Sequence, residues 1–261
     1  MKIKMPPGVN MVIDSLHAKG FEAYAVGGCV RDTILAREPD DWDITTSASP
    51  QQVKEIFDRT VDTGLEHGTV TVLAGSGAHE VTTYRIDGEY EDGRHPKEVV
   101  FTSSLAEDLR RRDFTINAMA WSLDADSFGE LVDPFDGMYD LEECIIRTPC
   151  DPDITFSDDP LRMMRAVRFA SQLGFTIEEE TFDAIRRNAP RIGIVSRERI
   201  AAELNKIVLS PVPSIGFELL EATGLLERIF PELHNLKGVE KRGAHAHKDN
   251  FVHTLKVLDN V

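Results

Sequence analysis

The sequence predicts an α+β protein, in which a small mixed β-sheet with helices is followed by an all-helical neck and a partial helical body. Up to about residue 150, short β-rich runs alternate with short helices and with turns rich in Gly, Asp and Pro. Beyond that point, apolar residues recur at helical spacing and the connections are short, which indicates packed helices. We therefore divide the chain into a first domain at 1–145, a neck at 146–210 and the start of a body at 211–261.

Local signals place the elements of the first domain. The run 9–19 has the spacing of an amphipathic helix and stops at Gly20. Strands are predicted at 21–26 and 42–45, the first running into a Gly-Gly turn. Ser49, Pro50 and Gln52 supply the N-cap, first-turn proline and capping box of a helix that ends near Phe57.

Two further segments of this domain have contrasting patterns. The runs 68–75 and 79–85 alternate apolar and polar residues around a Gly-containing link, which predicts an antiparallel hairpin. The stretch 85–98 is polar and Gly-rich, so we expect a mobile loop there.

The second half shows the helical period repeatedly. Its predicted helices span 159–174, 178–188, 196–209, 214–224 and 251–261. The last of them reaches the end of the sequence without a cap, so we expect this sequence to be a fragment of a longer protein, although a frayed terminal helix would have the same pattern.

Composition limits the possible functions. A formal net charge of −16 argues against indiscriminate nucleic-acid binding, although the arginines cluster and could form a local basic surface. No apolar run is long enough for a membrane helix, and the N-terminus lacks the apolar segment of a secretory signal. Three scattered cysteines without CxxC spacing indicate thiols in a reducing cytoplasm.

A Gly-Gly turn is the first candidate binding element. Gly27 and Gly28 directly follow a predicted strand and open a helix, and Arg31 comes three residues later. Paired glycines allow a ligand to approach the backbone closely, and the following N–H groups and guanidinium suit an anion such as a triphosphate. Alone the signal is weak, because most such pairs are only turns.

Two aspartates form the candidate catalytic pair. On a strand, Asp41 and Asp43 would project from the same face about 7 Å apart along the chain. Like charges placed side by side repel unless a cation lies between them, and hard carboxylate oxygens suit Mg²⁺. In isolation, a solvated acidic turn would be the better interpretation of this pair.

The order of several motifs favours a catalytic pair over a solvated acidic turn. GG-x-VRD followed by P-x-DxD-I-T resembles the nucleotidyltransferase family that contains tRNA CCA-adding enzymes and bacterial poly(A) polymerases. The later motifs follow in order: RRDFTINA at 111–118, the flexible DPFDG hinge at 133–137, the base-recognition motif EDxxR at 158–162, and ERI with EL at 197–204. One departure is Asp158, which stands where the family has Glu. The resemblance covers about residues 20–261.

The resemblance implies the reaction and its residues. Such enzymes attack the α-phosphate of a nucleoside triphosphate with the 3′-hydroxyl of an RNA. Asp41 and Asp43 would hold two Mg²⁺ ions, and Glu80 is our candidate for a third carboxylate, with an exposed strand-edge charge as the alternative. The remaining candidate nucleotide-binding residues of the head are Gly27, Gly28, Arg31, Arg112, Asp113 and Asn117.

Base choice would fall to a second pair in the neck. Asp159 and Arg162 are three residues apart at the start of a predicted helix, so they would share a face. A carboxylate accepts from an exocyclic amine and a guanidinium donates to a ring acceptor, so this pair could accept C and A while rejecting U and G. Arg165 and Arg168 could reach the triphosphate or the RNA backbone, or could be the solvent face of an amphipathic helix.

We therefore predict addition of C and A to tRNA 3′ ends from CTP and ATP. Poly(A) polymerase and CC-only or A-only enzymes are alternatives within the family, and the intact 85–97 stretch argues against a CC-only enzyme. A non-catalytic RNA- or nucleotide-binding protein is a rival from another class. The segment around His247 and His253 resembles the opening of an HD domain, but a metal phosphohydrolase would need ligands that this sequence lacks.

Overall fold

The computed structural model describes residues 5–75, 77–88, 99–122, 130–238, 241–242, 245–246 and 249–260. The described residues form two units, one up to residue 141 and the other from residue 142 onward. This division lies close to the boundary predicted at 145, whereas the separation of neck from body at 210 stays a prediction. The predicted α+β class is confirmed.

The first unit carries a mixed sheet with helices around it. Its helices are α1 Pro7–His17, α2 Gly28–Ile34, α3 Pro50–Ile56, α4 Leu105–Arg110 and α5 Gly137–Glu142. Its strands are β1 Ala23–Val26, β2 Asp43–Thr46, β3 Thr60–Gly64, β4 Thr69–Ala74, β5 Gly77–Thr83, β6 Arg85–Asp87, β7 Val99–Phe101, β8 Ala120–Ser122 and β9 Leu131–Val132.

The strand β2 lies at the centre of this sheet. The strand order is β3-β4-β5-β2-β1-β8-β9. β2 runs parallel to β5 and antiparallel to β1, with Ile44 opposite Val81 on one side and Ala25 on the other. These three side chains are buried, so an apolar core holds β2 in place.

Several local predictions are confirmed in this unit. The capping box of Ser49 and Gln52 forms at the start of α3, and β4 and β5 form the predicted hairpin. The loop predicted at 85–98 is wrong at its start, because Arg85–Asp87 is strand β6 and pairs with β7; residues 89–98 lie outside the described part. The alternative of an exposed strand-edge charge for Glu80 is wrong about the edge, because β5 lies between β4 and β2, although the residue is exposed.

The second unit is largely helical, as predicted. Its helices are α6 Pro152–Asp158, α7 Leu161–Leu173, α8 Glu179–Asn188, α9 Arg197–Val208, α10 Pro213–Ala222, α11 Leu226–Ile229, α12 Pro231–His234 and α13 Asn250–Leu258. Two short strand pairs accompany them: β10 Ile145–Ile146 with β11 Thr176–Ile177, and β12 Lys241–Arg242 with β13 His245–Ala246. The core side of α7 contributes Met163, Met164 and Val167, all fully buried.

Helix α7 does not begin where the sequence predicted. Asp159 has an extended backbone after α6, and α7 starts at Leu161. The helix ends as predicted, at Gly174 in the left-handed conformation. In the described part of the chain, no helix has the length and apolar character needed to cross a membrane, and the cysteines there are thiols rather than disulfides.

Candidate active site

Three carboxylates meet at the start of β2. Asp43 is the first residue of that strand and Asp41 precedes it by two positions. Because Ile44 lies opposite Val81 in the parallel pair β2–β5, Asp43 and Glu80 occupy the preceding positions of neighbouring strands and share one face. The structure thus brings together the three residues that the sequence proposed for catalysis.

The charges of this trio act on one another. Desolvation by the surrounding protein raises the pKa of Asp43; Arg112 lowers this pKa and Asp41 raises it. The pKa of Glu80 is raised by desolvation, then by Asp43 and Asp41. Among the described residues no three His, Cys, Asp or Glu side chains form a metal-ligating cluster. The carboxylate oxygens of Asp41, Asp43 and Glu80 nevertheless suit a divalent cation, because a cation would relieve the repulsion between these negative charges.

A small cavity lies beside the trio. Its volume is about 160 Å³, and Asp43 and Glu80 contribute its acidic lining. Its basic lining comes from Arg85, Arg111 and Arg112. The site therefore places carboxylates for a cation next to guanidinium groups for an anion, which is the arrangement that a metal-bound phosphate requires.

Asp108, in α4, organises the basic side. It is fully buried, and its Oδ1 accepts from Arg111 Nη2 at 2.7 Å while its Oδ2 lies 3.3 Å from Arg112 Nη2. Its Oδ2 also accepts from the hydroxyl of Thr45 on β2 at 3.0 Å. Burial opposes ionisation of Asp108, but the two arginines and these hydrogen bonds outweigh it and lower its pKa. Sequence reasoning missed Asp108, although it stands only two residues before the arginine run at 110–112.

The Gly-Gly turn packs against the RRDFTINA segment. Gly27 has φ = 82°, and a Cβ there would lie 3.2 Å from Arg112 Nη1, so this position favours glycine. Arg31 Nη1 donates to Asn117 Oδ1 at 2.7 Å, and Asn117 Nδ2 donates to Asp113 Oδ1 at 3.1 Å. The predicted nucleotide-binding residues of the first unit therefore form one contiguous network, with Gly28 next to Gly27 at the start of α2.

The DPFDG segment is fixed to the same unit. Asp133 Oδ1 accepts from the backbone N–H of Gly137 at 2.7 Å, and its Oδ2 accepts from Met138 at 2.8 Å. A Cβ on Gly137 would lie 2.3 Å from the carbonyl oxygen of Thr115, which leaves room only for glycine. These contacts hold the start of α5 against the turn that contains Thr115.

In the second unit, Asp159 is held by an arginine of the ERI motif. Its Oδ2 accepts from Arg199 Nη2 at 2.8 Å, and its Oδ1 accepts from the backbone N–H of Leu161 at 3.1 Å. The prediction that Asp159 lies on the same helix as Arg162 is wrong, because Asp159 ends α6 and α7 begins two residues later at Leu161. The ERI motif draws attention to Arg199 in the sequence, but the spacing of the motif does not predict the contact between Arg199 and Asp159.

The remaining arginines of α7 have different environments. Arg168 is buried: its Nε lies 2.7 Å from Glu203 Oε2, and its guanidinium lies 4.0 Å from the Phe169 ring centroid. Arg165 is half-buried, with its guanidinium 5.6 Å from the same ring centroid. The solvent-face alternative is thus wrong for Arg168. His253 is exposed on α13, and His247 lies outside the described residues.

Comparison with known proteins gives the same family for both units. Residues 23–147 match the model described as "Poly A polymerase head domain". Residues 174–237 match the model described as "Probable RNA and SrmB- binding site of polymerase A". Together these matches cover more than half of the chain.

Individual relatives agree with these matches. The CCA-adding enzyme of Limosilactobacillus reuteri is 48% identical over 87% of this chain and 56% of its own length. The crystal structure of the Bacillus stearothermophilus CCA-adding enzyme in complex with CTP has a TM-score of 0.77 at 43% identity, over 85% of this chain and 53% of that one. The Thermotoga maritima CCA-adding enzyme complexed with tRNA-CCA has a TM-score of 0.73 at 27% identity, over 87% and 54%. The chain therefore spans about half the length of these relatives.

Proposed function

This chain belongs to the family of tRNA nucleotidyltransferases and poly(A) polymerases, and we propose that it adds C and A nucleotides to the 3′ end of tRNA without a template. The observation that carries the proposal is the meeting of Asp41, Asp43 and Glu80 beside Arg112. This arrangement suits nucleotidyl transfer, in which a cation and a phosphate must be held together.

In the proposed reaction, the 3′-hydroxyl of the RNA gives up its proton to solvent, and its oxygen forms a bond to the α-phosphorus of CTP or ATP. The bond from that phosphorus to the oxygen bridging to the β-phosphate breaks, and pyrophosphate leaves with the electron pair. Asp41 and Asp43 would hold two Mg²⁺ ions, with Glu80 as the third carboxylate. When bound, the ions would activate the attacking oxygen and neutralise the leaving group. Arg112 would bind phosphate oxygens.

The other predicted residues have roles that follow from their chemistry. Gly27 and Gly28 have no side chain to obstruct a triphosphate, and Arg31 with Asn117 and Asp113 orders the adjacent surface for phosphate and ribose. In the second unit, Asp159 would accept from the exocyclic amine of C or A, and Arg162 would donate to the neighbouring ring nitrogen. Arg165 and Arg168 remain candidates for phosphate contact, Arg168 only if its pairing with Glu203 opens.

RNA as the partner is supported by the second unit. In a chain with a net charge of −16, its exposed arginines offer guanidinium groups that suit a phosphate backbone. These arginines are Arg186, Arg187, Arg191, Arg197 and Arg228. All of them fall in the segment that matches the RNA-binding model. The thiol state of the cysteines supports a cytoplasmic enzyme.

The test uses tRNA transcripts that end before CCA, after C or after CC. The protein is incubated with Mg²⁺ and each transcript, and each nucleoside triphosphate is supplied separately and in combination. Completion of CCA from the shortest transcript, followed by a halt, is the expected result. A long A tail would make the protein a poly(A) polymerase, and extension from only one of the starting ends would make it a partial adder. No incorporation, with nucleotide or RNA binding retained, would favour a non-catalytic binding protein.

A further inference from the structure

The fully buried Asp108 joins three parts of the candidate site. It accepts from Thr45, two residues beyond Asp43 on β2, and it contacts both arginines that follow α4, Arg111 and Arg112. Its Oδ1 also accepts from the backbone N–H of Arg85 at the start of β6, at 3.4 Å. A buried carboxylate with this many partners fixes their relative positions, because each partner would be left unpaired by a shift.

The contact with Arg112 determines where that guanidinium lies. Its Nη2 is 3.3 Å from Asp108 Oδ2, and its Nη1 faces the Gly27 turn. The same side chain lines the cavity with Asp43 and Glu80. Arg112 is therefore shared between a buried anchor on one side and the acidic trio on the other.

We propose that Asp108 is a positioning residue, which holds the guanidinium of Arg112 toward the triphosphate and away from direct pairing with Asp43. This proposal rests on the proposed function and extends it to a residue outside the motifs. Without the anchor, Arg112 would still line the same cavity as Asp43 and Glu80, and pairing with them would compete with the cation for the same oxygens. The loss of Asp108 should therefore weaken both triphosphate binding and Mg²⁺ binding.

A double-mutant cycle tests this role. The dissociation constant of CTP is measured by calorimetry with Mg²⁺ and without RNA, so that no turnover occurs, for the wild type, Asp108→Asn, Arg112→Gln and the double variant. We expect each single variant to bind CTP about ten- to hundredfold more weakly, the size of one charge-assisted contact. The double variant should be no weaker than Arg112→Gln alone, because Asp108 acts through Arg112.

The Mg²⁺ requirement separates positioning from general stability. Asp108→Asn should raise the Mg²⁺ concentration needed for half-maximal incorporation, and in the Arg112→Gln background it should not. The matched control is Asp140→Asn, which alters another buried carboxylate of the same unit, one that accepts from the Thr115 hydroxyl at 2.6 Å. We expect it to lower the melting temperature while the CTP affinity and the Mg²⁺ requirement stay at wild-type values.

Each outcome decides the proposal. Independent, additive losses in Asp108→Asn and Arg112→Gln, or wild-type CTP affinity in Asp108→Asn, would overturn it while the proposed function stands. A wild type that binds no CTP would overturn both. If Asp108→Asn does not fold, Thr45→Val, which removes one hydrogen bond to Asp108, replaces it in the same cycle; a loss of CTP affinity that disappears in the Arg112→Gln background supports the proposal, and no loss or an additive loss overturns it.

Discussion

Arg31 Nη1 donates a hydrogen bond of 2.7 Å to Oδ1 of Asn117, a residue 86 positions further along the chain. The amide of Asn117 also donates from Nδ2 to Asp113, so this one side chain both accepts from the Gly-Gly helix and donates within the RRDFTINA segment. Few side chains can do both in one orientation, because Asp lacks the donor and Ala lacks both groups.

Asn117→Ala should therefore remove the hydrogen bonds that join the Gly-Gly helix to the RRDFTINA segment. We expect the free energy of unfolding to fall by about 1–3 kcal/mol, because a buried Arg31 donor loses its acceptor, and CTP to bind about tenfold more weakly. Thermal denaturation and calorimetry measure the two effects. Asn10→Ala, on the exposed surface of α1, is the control and should change neither. Wild-type CTP affinity in a destabilised Asn117→Ala would show that the network is structural only.

Asp41→Ala should abolish nucleotide incorporation and leave the protein folded. Asp41 is exposed and lies outside the strands, so its loss would remove the proposed cation ligand without opening the core. A decrease on the order of a thousandfold is expected when several kcal/mol of transition-state stabilisation are removed. Incorporation of labelled CTP into a tRNA transcript and circular dichroism provide the two readings, with exposed Asp58→Ala as the control. Retained turnover would contradict the proposal that Asp41 binds the metal.

The raised pKa of Asp43 predicts a pH dependence of stability. Because the folded state raises this pKa above its unfolded value, the folded protein holds the proton more tightly, and the free energy of unfolding falls as the pH rises through that window. Metal-free Asp43→Asn should therefore melt at a higher temperature than the wild type at pH 7–8. The difference should vanish below the usual aspartate pKa, about 4.

Magnesium should reverse the order of the two melting temperatures at neutral pH. Ligand binding to the folded state raises the melting temperature, so Mg²⁺ should stabilise the wild type and have little effect on Asp43→Asn. Differential scanning fluorimetry across pH, with and without Mg²⁺, measures both. Equal Mg²⁺ responses in the two proteins would place the cation elsewhere.

Asp159→Ala should relax base choice. The variant would lose the proposed acceptor for the exocyclic amine that distinguishes C and A from U and G, so incorporation of UTP and GTP should rise relative to CTP and ATP, by about tenfold. Competition assays with mixed triphosphates measure the ratio. Asp183→Ala, an exposed aspartate on α8, is the control. Unchanged fidelity would count against the base-reading role.

The cysteines should differ in reactivity. Burial, with a smaller contribution from Asp43, raises the pKa of Cys29 to about 12, so its thiolate is scarce at pH 8. Cys144 is exposed. Iodoacetamide at pH 8 should therefore modify Cys144 and leave Cys29 intact until denaturant is added, as read by mass spectrometry of peptides. Rapid modification of native Cys29 would contradict its burial on α2.

The predictions that succeeded depended on neighbours in sequence. The capping box of Ser49 and Gln52 spans one helical turn, and the β4–β5 hairpin follows from alternation across a short link. What the sequence missed depends on distant partners: Thr45 and Asp108 are 63 positions apart, and Arg199 and Asp159 are 40 apart. No local pattern encodes such contacts, because the fold alone brings them together.

The central position of β2 has a consequence for the order in which the parts of the candidate site form during synthesis. Translation proceeds from the N-terminus, so Asp41 and Asp43 leave the ribosome before their parallel neighbour β5 exists, and before Arg112 exists to face them. A nascent chain that pauses ahead of β5 thus carries an acidic pair before Glu80 and Arg112 have been made. The candidate site is therefore complete only after the arginine run at 110–112 has emerged and packed against the sheet.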